Sequence, residues 1–301
     1  MVDPVSRSFG PVTVYFGEKN GKYPDGNQVV VEGTAGRAVF DTPLCAIDLG
    51  GRIAGADLAI LGHAHEDHMC ALHLLPEAQV YAPEADLEAV RSWEGLRAHY
   101  GYSPEIEDKM LDYVREQFHF QPRPDARGYP DGFQWDLGGV TVRAVHMPGH
   151  TAGHTVLLVE PGAIAFIGDI DLSGFGPYYG DACSDMLDFL DSMERLERLE
   201  ARVWITSHHK GAITERERFL ALLRKFRHRV REREEDICRT LGRGPMTLEQ
   251  LVAHRFLYPK DFDALFVDDV ERKTLREHLA QLIGEGRVAE EGSRYRLVKP
   301  A

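Results

Sequence analysis

Apolar residues in the first two thirds of the chain fall into short runs broken by glycine, proline and aspartate. Val12 to Phe16, Gln28 to Glu32 and Arg37 to Asp41 are rich in β-branched residues, and a turn-rich stretch, Gly21 to Asn27, divides the first two. That pattern predicts a meandering antiparallel sheet. Ala56 to Leu61 predicts another strand. Across Glu105 to Phe118 the spacing changes, and Ile106, Met110, Tyr113, Val114 and Phe118 recur at helical intervals. Strand-like runs resume at Val140 to Val145, Thr155 to Val159 and Ala163 to Ile167. Ser184 reads as the N-cap of an amphipathic helix reaching about Leu199, with Leu187, Leu190, Met193 and Leu196 on one face. Val203 to Thr206 is the last strand of the unit. Strands mixed with helices in this order predict an α/β fold with sheets sandwiched by helices.

A smaller unit follows. Residues 1–212 read as the first domain, 213–241 as a connecting helix and 242–301 as a second domain. Thr247-Leu248-Glu249-Gln250 fits a capping box. Val270 to Ile283 carries Leu275, Leu279, Leu282 and Ile283 in one stripe, and Gly284-Glu285-Gly286 stops it. Val288 to Glu290 and Tyr295 to Leu297 flank Glu291-Gly292-Ser293 as a hairpin. Helices followed by a hairpin predict a winged-helix-like domain.

Charge narrows the function. The formal net charge is −13, which argues against a general nucleic-acid binder. Residues 243–301 hold ten basic and ten acidic side chains, so the tail has no basic bias. No apolar run is long enough to span a bilayer, and the N-terminus lacks a secretory pattern. The four cysteines form no CxxC pair, the pattern of reduced thiols in a cytoplasmic protein.

Chemistry concentrates in Gly62-His63-Ala64-His65-Glu66-Asp67-His68, directly after the Ala56 to Leu61 run. Imidazole and carboxylate at this density suit a borderline divalent cation; a solvated histidine-rich turn is the plainer alternative. Cys70, two residues on, is placed to line the same site. Further donors follow strand-like runs: His150 in Pro148-Gly149-His150, Asp169 in Ile167-Gly168-Asp169, and His208 with His209 in Thr206-Ser207-His208-His209. Strand ends are rigid places from which loops converge on an ion.

This order resembles the metallo-β-lactamase superfamily, whose hydrolases carry HxHxDH and then a His, an Asp and a His. The resemblance covers roughly residues 10–212 and implies the αββα sandwich of that family. It implies that His63, His65 and His150 hold one divalent ion and Asp67, His68 and His208 a second, with Asp169 bridging. His209 is the alternative to His208. Zinc is the expected metal, with iron or manganese as alternatives. Asp67 and Asp169 are the implied catalytic carboxylates around a metal-bridging hydroxide. Two departures stand out: Gly62 replaces the usual Thr, and Asp41-Thr42-Pro43 replaces Asp-Thr-Gly. Asp41 is placed to orient a ligand histidine from behind. His154 is read as a hydrogen-bonding neighbour of the ligands, a substrate contact, or simply a satisfied histidine. Asp171 reads as a solvated or capping carboxylate. Tyr178 and Tyr179 follow the bridging Asp and either polarise a carbonyl or cover the pocket wall. The C-terminal tail resembles that of the glyoxalase II-like and β-lactamase-like protein 2 group. The implied function is hydrolysis of a small-molecule thioester, ester or lactone. A nuclease using the tail to present nucleic acid, and a non-catalytic metal-binding or sensing module, are the alternatives. A small-molecule substrate is the expected partner, with no membrane and a homodimer as an option.

Overall fold

The computed structural model describes residues 4–298. Its first sheet has seven strands in sequence order: β1 (Ser6–Phe9), β2 (Val12–Tyr15), β3 (Gln28–Glu32), β4 (Arg37–Phe40), β5 (Leu58–Ile60), β6 (Gln79–Pro83) and β7 (Arg127–Tyr129). The pairs from β1 to β4 are antiparallel, and those from β4 to β7 are parallel. A second sheet runs β8 (Gln134–Asp136), β9 (Thr141–His146), β10 (Thr155–Glu160), β11 (Ile164–Phe166), β12 (Val203–Ile205) and β13 (Ala212–Ile213).

Both sheets are covered on both faces. In β3, Val29 and Val31 face the second sheet, while Val30 joins the opposite cluster. Alternation of side chains along a strand thus feeds two cores at once. Behind the first sheet pack α1 (Leu87–Arg91), α2 (Trp93–Tyr100) and α3 (Pro104–Gln117). Behind the second pack α4 (Met186–Arg198) and the first half of α5 (Arg216–Leu241). The layers are helix, sheet, sheet, helix, the predicted αββα order.

The α4 prediction needs correcting at its start. Asp185 is the N-cap, its carboxylate accepting from the amides of Leu187 and Asp188. Ser184 instead donates to the carbonyl of His150 over 2.7 Å. The buried face is Met186, Phe189, Met193 and Leu196, while Leu187 is exposed. Phe189 and Met186 fill the core more fully, so packing selects their stripe.

One helix belongs to two cores. Phe219, Leu223, Phe226 and Val230 of α5 pack on the second sheet. Ile237 and Leu241 pack instead with α6 (Leu248–Val252), α7 (Val267–Gly284) and Val288. A small sheet of β14 (Met246–Thr247), β16 (Arg294–Leu297) and β15 (Val288–Glu291) completes this end. The capping box is present, with Thr247 and Gln250 each bonding the other's backbone amide. Among the described residues no helix is long and apolar enough to cross a membrane.

Candidate metal centre

Both sheets deliver donors to one edge. The chain leaves β5 through Leu61 and Gly62 and enters a short 3-10 turn, Glu66–His68. His63, His65, Asp67 and His68 lie there, all buried. His150 follows β9, Asp169 follows β11 and His208 follows β12. The ligand atoms of His63, His65, His150 and Asp169 lie within 4.8 Å of one another, and those of Asp67, His68 and His208 do the same.

Asp169 stands between the two groups. Its Oδ2 is 3.3 Å from His150 Nε2 and 4.0 Å from His63 Nε2. Its Oδ1 is 3.2 Å from His68 Nε2 and 3.4 Å from His208 Nε2. Asp67 Oδ2 lies 3.1 Å from His208 Nε2. Of the two adjacent histidines, only His208 reaches the cluster. His209 adopts a left-handed backbone (φ 61°) and sits 3.6 Å from Asp171 Oδ2.

A surrounding layer ties the outer nitrogen of most of these rings. His68 Nδ1 donates to Asp41 Oδ2 over 2.7 Å, and Asp41 Oδ1 accepts from the Gly62 amide. His150 Nδ1 donates to the Tyr178 carbonyl over 3.0 Å. His208 Nδ1 is shared by the carbonyls of Gly21 and Asp25, each at 2.8 Å. His65 Nε2 lies 3.0 Å from Asp181 Oδ2, which leaves Nδ1 for the cluster. Fixing one ring nitrogen sets the tautomer and aims the other inward. His154 serves the backbone: Nδ1 donates to the Met147 carbonyl, and Nε2 accepts from the Asp169 amide over 3.2 Å. Gly168 permits this contact. Its φ is +55°, and a Cβ there would lie 2.6 Å from His154 Nε2.

Apart from His208 Nε2 with His68 Nε2 at 3.4 Å, the inward contacts described above are close but miss hydrogen-bond alignment. Both nitrogens of His63, His150 Nε2 and Asp169 Oδ1 are buried without a hydrogen bond. Each such atom costs roughly 1–3 kcal/mol if left unmatched. Several of them converging at one point fit a shared cation, and the donor set suits one. Electrostatics agree. Burial acts to lower the pKa of His208, yet the Asp169 and Asp67 carboxylates push it up to about 10. Burial opposes protonation of His68 as well, but Asp67, Asp169 and Asp41 raise it well above the usual range. The carboxylates hold protons where a divalent ion would replace them. His63 goes the other way, driven down by burial and by His68.

Residues 24–225 match the model of the metallo-beta-lactamase superfamily. The chain belongs to the metallo-β-lactamase superfamily. A family protein of Thermus thermophilus shares the fold with a TM-score of 0.71 at 24% identity, covering 91% of this chain and 94% of that one. A beta-lactamase domain protein from Burkholderia ambifaria does so with a TM-score of 0.66 at 18% identity, covering 96% and 92%. At that coverage the shared architecture must extend past residue 225 into the C-terminal unit. An atrochrysone carboxyl ACP thioesterase of Pseudocercospora fijiensis is 24% identical over 202 residues. The match takes in 65% of this chain and 57% of that relative's length.

Beside the centre of this superfamily member opens a cavity of about 470 Å³. Two buried carboxylates that the sequence did not single out organise its wall. Glu66 accepts from the hydroxyls of Tyr23 and Tyr100. Asp181 Oδ1 accepts from those of Tyr102 and Tyr178, at 3.0 and 3.1 Å. The Tyr178 hydroxyl is therefore committed to Asp181, and its ring covers the wall. A third overlooked carboxylate, Asp86, bonds the Ala64 amide, the Thr151 hydroxyl and the Gly153 amide. It ties the His63 loop to the His150 loop.

Other expectations are corrected. Tyr179 is not at the pocket: its hydroxyl is held by Arg233 of α5 and His278 of α7. Cys70 turns into the core and donates to the Glu66 carbonyl. Of the three readings of His154 the hydrogen-bonding neighbour is the one seen, since the ring is fully buried and accepts from the Asp169 amide. Asp171 lines the cavity and is partly exposed there. Burial raises it to about 7, although it accepts from the Ser173 amide.

Proposed function

We propose that this protein is a two-metal hydrolase acting on a small-molecule thioester or a related ester or lactone. The observation that carries the reading is Asp169, whose two oxygens face two separate donor groups at 3.2–4.0 Å. His63, His65 and His150 would hold one ion, Asp67, His68 and His208 the other, and Asp169 both. Zinc suits this histidine-rich set, with iron or manganese as alternatives. When bound, a pair of divalent ions supplies a nucleophilic water at neutral pH and a Lewis acid for the carbonyl.

The remaining work falls to the chain. Asp67 is buried, yet His68 and His208 hold its carboxyl below the usual range. It stays ionised at pH 7 and can accept the proton the attacking water loses, then return it to the leaving group. Asp41 fixes His68, and the Tyr178 carbonyl fixes His150. The aromatic cavity excludes water from the carbonyl face. No serine or cysteine nucleophile is needed. The burial that packs Cys70 away also pushes its thiol pKa up.

The thioester preference rests on the name of the Pseudocercospora fijiensis relative and on the apolar cavity beside the centre. Residues 242–301, read as winged-helix-like, serve in this account as part of the cavity and not as a nucleic-acid reader. Among the described residues several of their cations are paired: Arg272 with Glu249, Arg255 with Asp268, Lys273 with Glu277, Arg287 with Glu285 and Arg296 with Glu291. The test is a panel of acyl thioesters, lactones and labelled RNA, assayed with Zn²⁺ or Mn²⁺ restored to stripped protein. Turnover of acyl substrates is expected. RNA cleavage without acyl turnover would replace this reading with a nuclease. Metal binding with no turnover at all would leave a sensing module.

A further inference from the structure

The loop between α6 and α7 contributes part of the cavity lining. Tyr258, Pro259, Phe262 and Phe266 from this loop all line it. A connection this long without regular structure is uncommon in a compact domain and is usually functional. It is firmly anchored at its start. The amides of Phe256, Leu257 and Tyr258 donate to the carboxylate of Glu271 at 3.0, 2.9 and 2.9 Å. Glu271 is fully buried on α7. Tyr258 is thereby set in place, stacked on Phe262 at 5.1 Å between centroids and tilted against Phe175 at 5.4 Å.

Much of the rest of the lining is aromatic too. Tyr23, Tyr100, Tyr102 and Tyr178 line the cavity, but their hydroxyls are all taken by Glu66 and Asp181. Eight phenyl and phenol rings therefore line a space whose other lining groups are the metal donors, Glu66 and Asp181 beneath the tyrosines, and Lys22, Asp171, His209 and Pro259, with Met110. Phe262 lines this cavity and is 41% exposed, so its ring is open to a ligand there. A cavity of about 470 Å³ is in the range of pockets that bury small organic ligands.

We propose that Tyr258, Pro259, Phe262 and Phe266, in the loop between α6 and α7, form the specificity wall for a bulky apolar acyl group, aromatic or alicyclic, whose carbonyl rests at the metal floor. The C-terminal unit then selects the substrate that the superfamily domain cleaves. This rests on the ester and thioester reading given above. A lining made so largely of aromatic rings favours a ring over a flexible chain. A two-carbon acyl group would leave most of the cavity wet and gain little from it.

The test uses the full chain and the variants Phe262→Ala and Leu265→Ala. Leu265 is equally exposed, at 40%, in the same loop, but does not line this cavity. Both side chains are about 40% exposed, and a wild-type unfolding midpoint in each variant checks that the fold is retained. The first readout is the ratio of kcat/KM for phenylacetyl over acetyl thioesters of one thiol. The second is calorimetric binding of phenethyl and ethyl thioethers of that thiol to metal-stripped protein. Phe262→Ala should lower the kinetic ratio and the phenethyl affinity by about tenfold or more, and Leu265→Ala should change neither. A ratio unchanged in Phe262→Ala, or lowered as much in Leu265→Ala, would overturn the proposal. If the wild type turns over no acyl substrate, the hydrolase reading fails. The binding arm still decides the wall: loss of phenethyl preference in Phe262→Ala supports it, and equal binding refutes it.

Discussion

The floor of the cavity is assembled from four strand ends in two sheets, whereas its far wall comes from one loop between two helices. On the floor, position is enforced redundantly. Asp41, the Tyr178 carbonyl and the Gly21 and Asp25 carbonyls each pin one imidazole, and Asp86 ties two of the loops together. On the wall, one carboxylate, Glu271, carries the anchoring. Chemistry shared by many substrates demands the first kind of construction. Selection among substrates tolerates the second, because a wall can change shape without disturbing the reaction. The floor should therefore fail for every substrate at once, and the wall for some substrates only.

The largest expected effect tests the floor. Asp169→Ala removes the carboxylate shared by both donor groups. Hydrolysis of all acyl substrates should fall to background, with metal content per chain below that of wild type by mass spectrometry. Wild-type metal content with full turnover would contradict the two-metal assignment. Asp41→Asn is milder, since every donor to the ions remains. Loss of the carboxylate behind His68 should cost about 10- to 100-fold in metal affinity or activity. The loss should be equal across acyl groups; a substrate-selective loss would mean that Asp41 shapes the pocket.

How much of this was readable beforehand follows the same division. His63, His65, Asp67 and His68 are contiguous, and His150, Asp169 and His208 each close a strand, so the donors were legible as a pattern. The αββα layering was legible because short strands and amphipathic helices have distinct periods. Glu66, Asp86 and Asp181 were not. Asp86 and Asp181 are single acids in ordinary stretches, Glu66 is masked by the donors on either side of it, and the importance of each comes from partners far along the chain, such as Tyr23 and Tyr100 for Glu66. The wall loop from Phe256 to Phe266 has no period at all, and its aromatic residues acquire meaning only once α7 folds it over the floor. Tyr179 misled for the converse reason. Its neighbour Tyr178 does line the cavity, but Arg233 and His278 draw Tyr179 the other way.

Glu271→Gln should act on the wall alone. The neutral amide keeps one acceptor for three backbone donors, so stability should drop by roughly 2–3 kcal/mol, read as a lower unfolding midpoint. Freed at its anchor, the loop should lose several-fold in preference for bulky over short acyl groups. A loss shared equally by all substrates would show that the loop supports the floor, and the contrast between the two regions would disappear.

The smallest effect lies behind both regions, in the chain from Arg233 through the Tyr179 hydroxyl to His278. Arg233 donates to the phenol oxygen over 2.9 Å, so the phenol must donate to His278 Nε2, also at 2.9 Å. That requires a neutral ring, and burial lowers the His278 pKa from 6.5 to about 3. The unfolded chain takes up a proton at this residue below about pH 6.5 that the folded chain refuses until about pH 3. Its contribution to stability is complete above pH 6.5 and declines as pH falls toward 3. Tyr179→Phe removes two hydrogen bonds and should cost about 1–2 kcal/mol at pH 7, with the acyl preference unchanged. His278→Gln should flatten the acid limb of the unfolding midpoint between those two pH values. If instead Tyr179→Phe altered the acyl preference, the support between α5 and α7 would be part of the wall, and selection would extend deeper into the C-terminal unit than its lining residues.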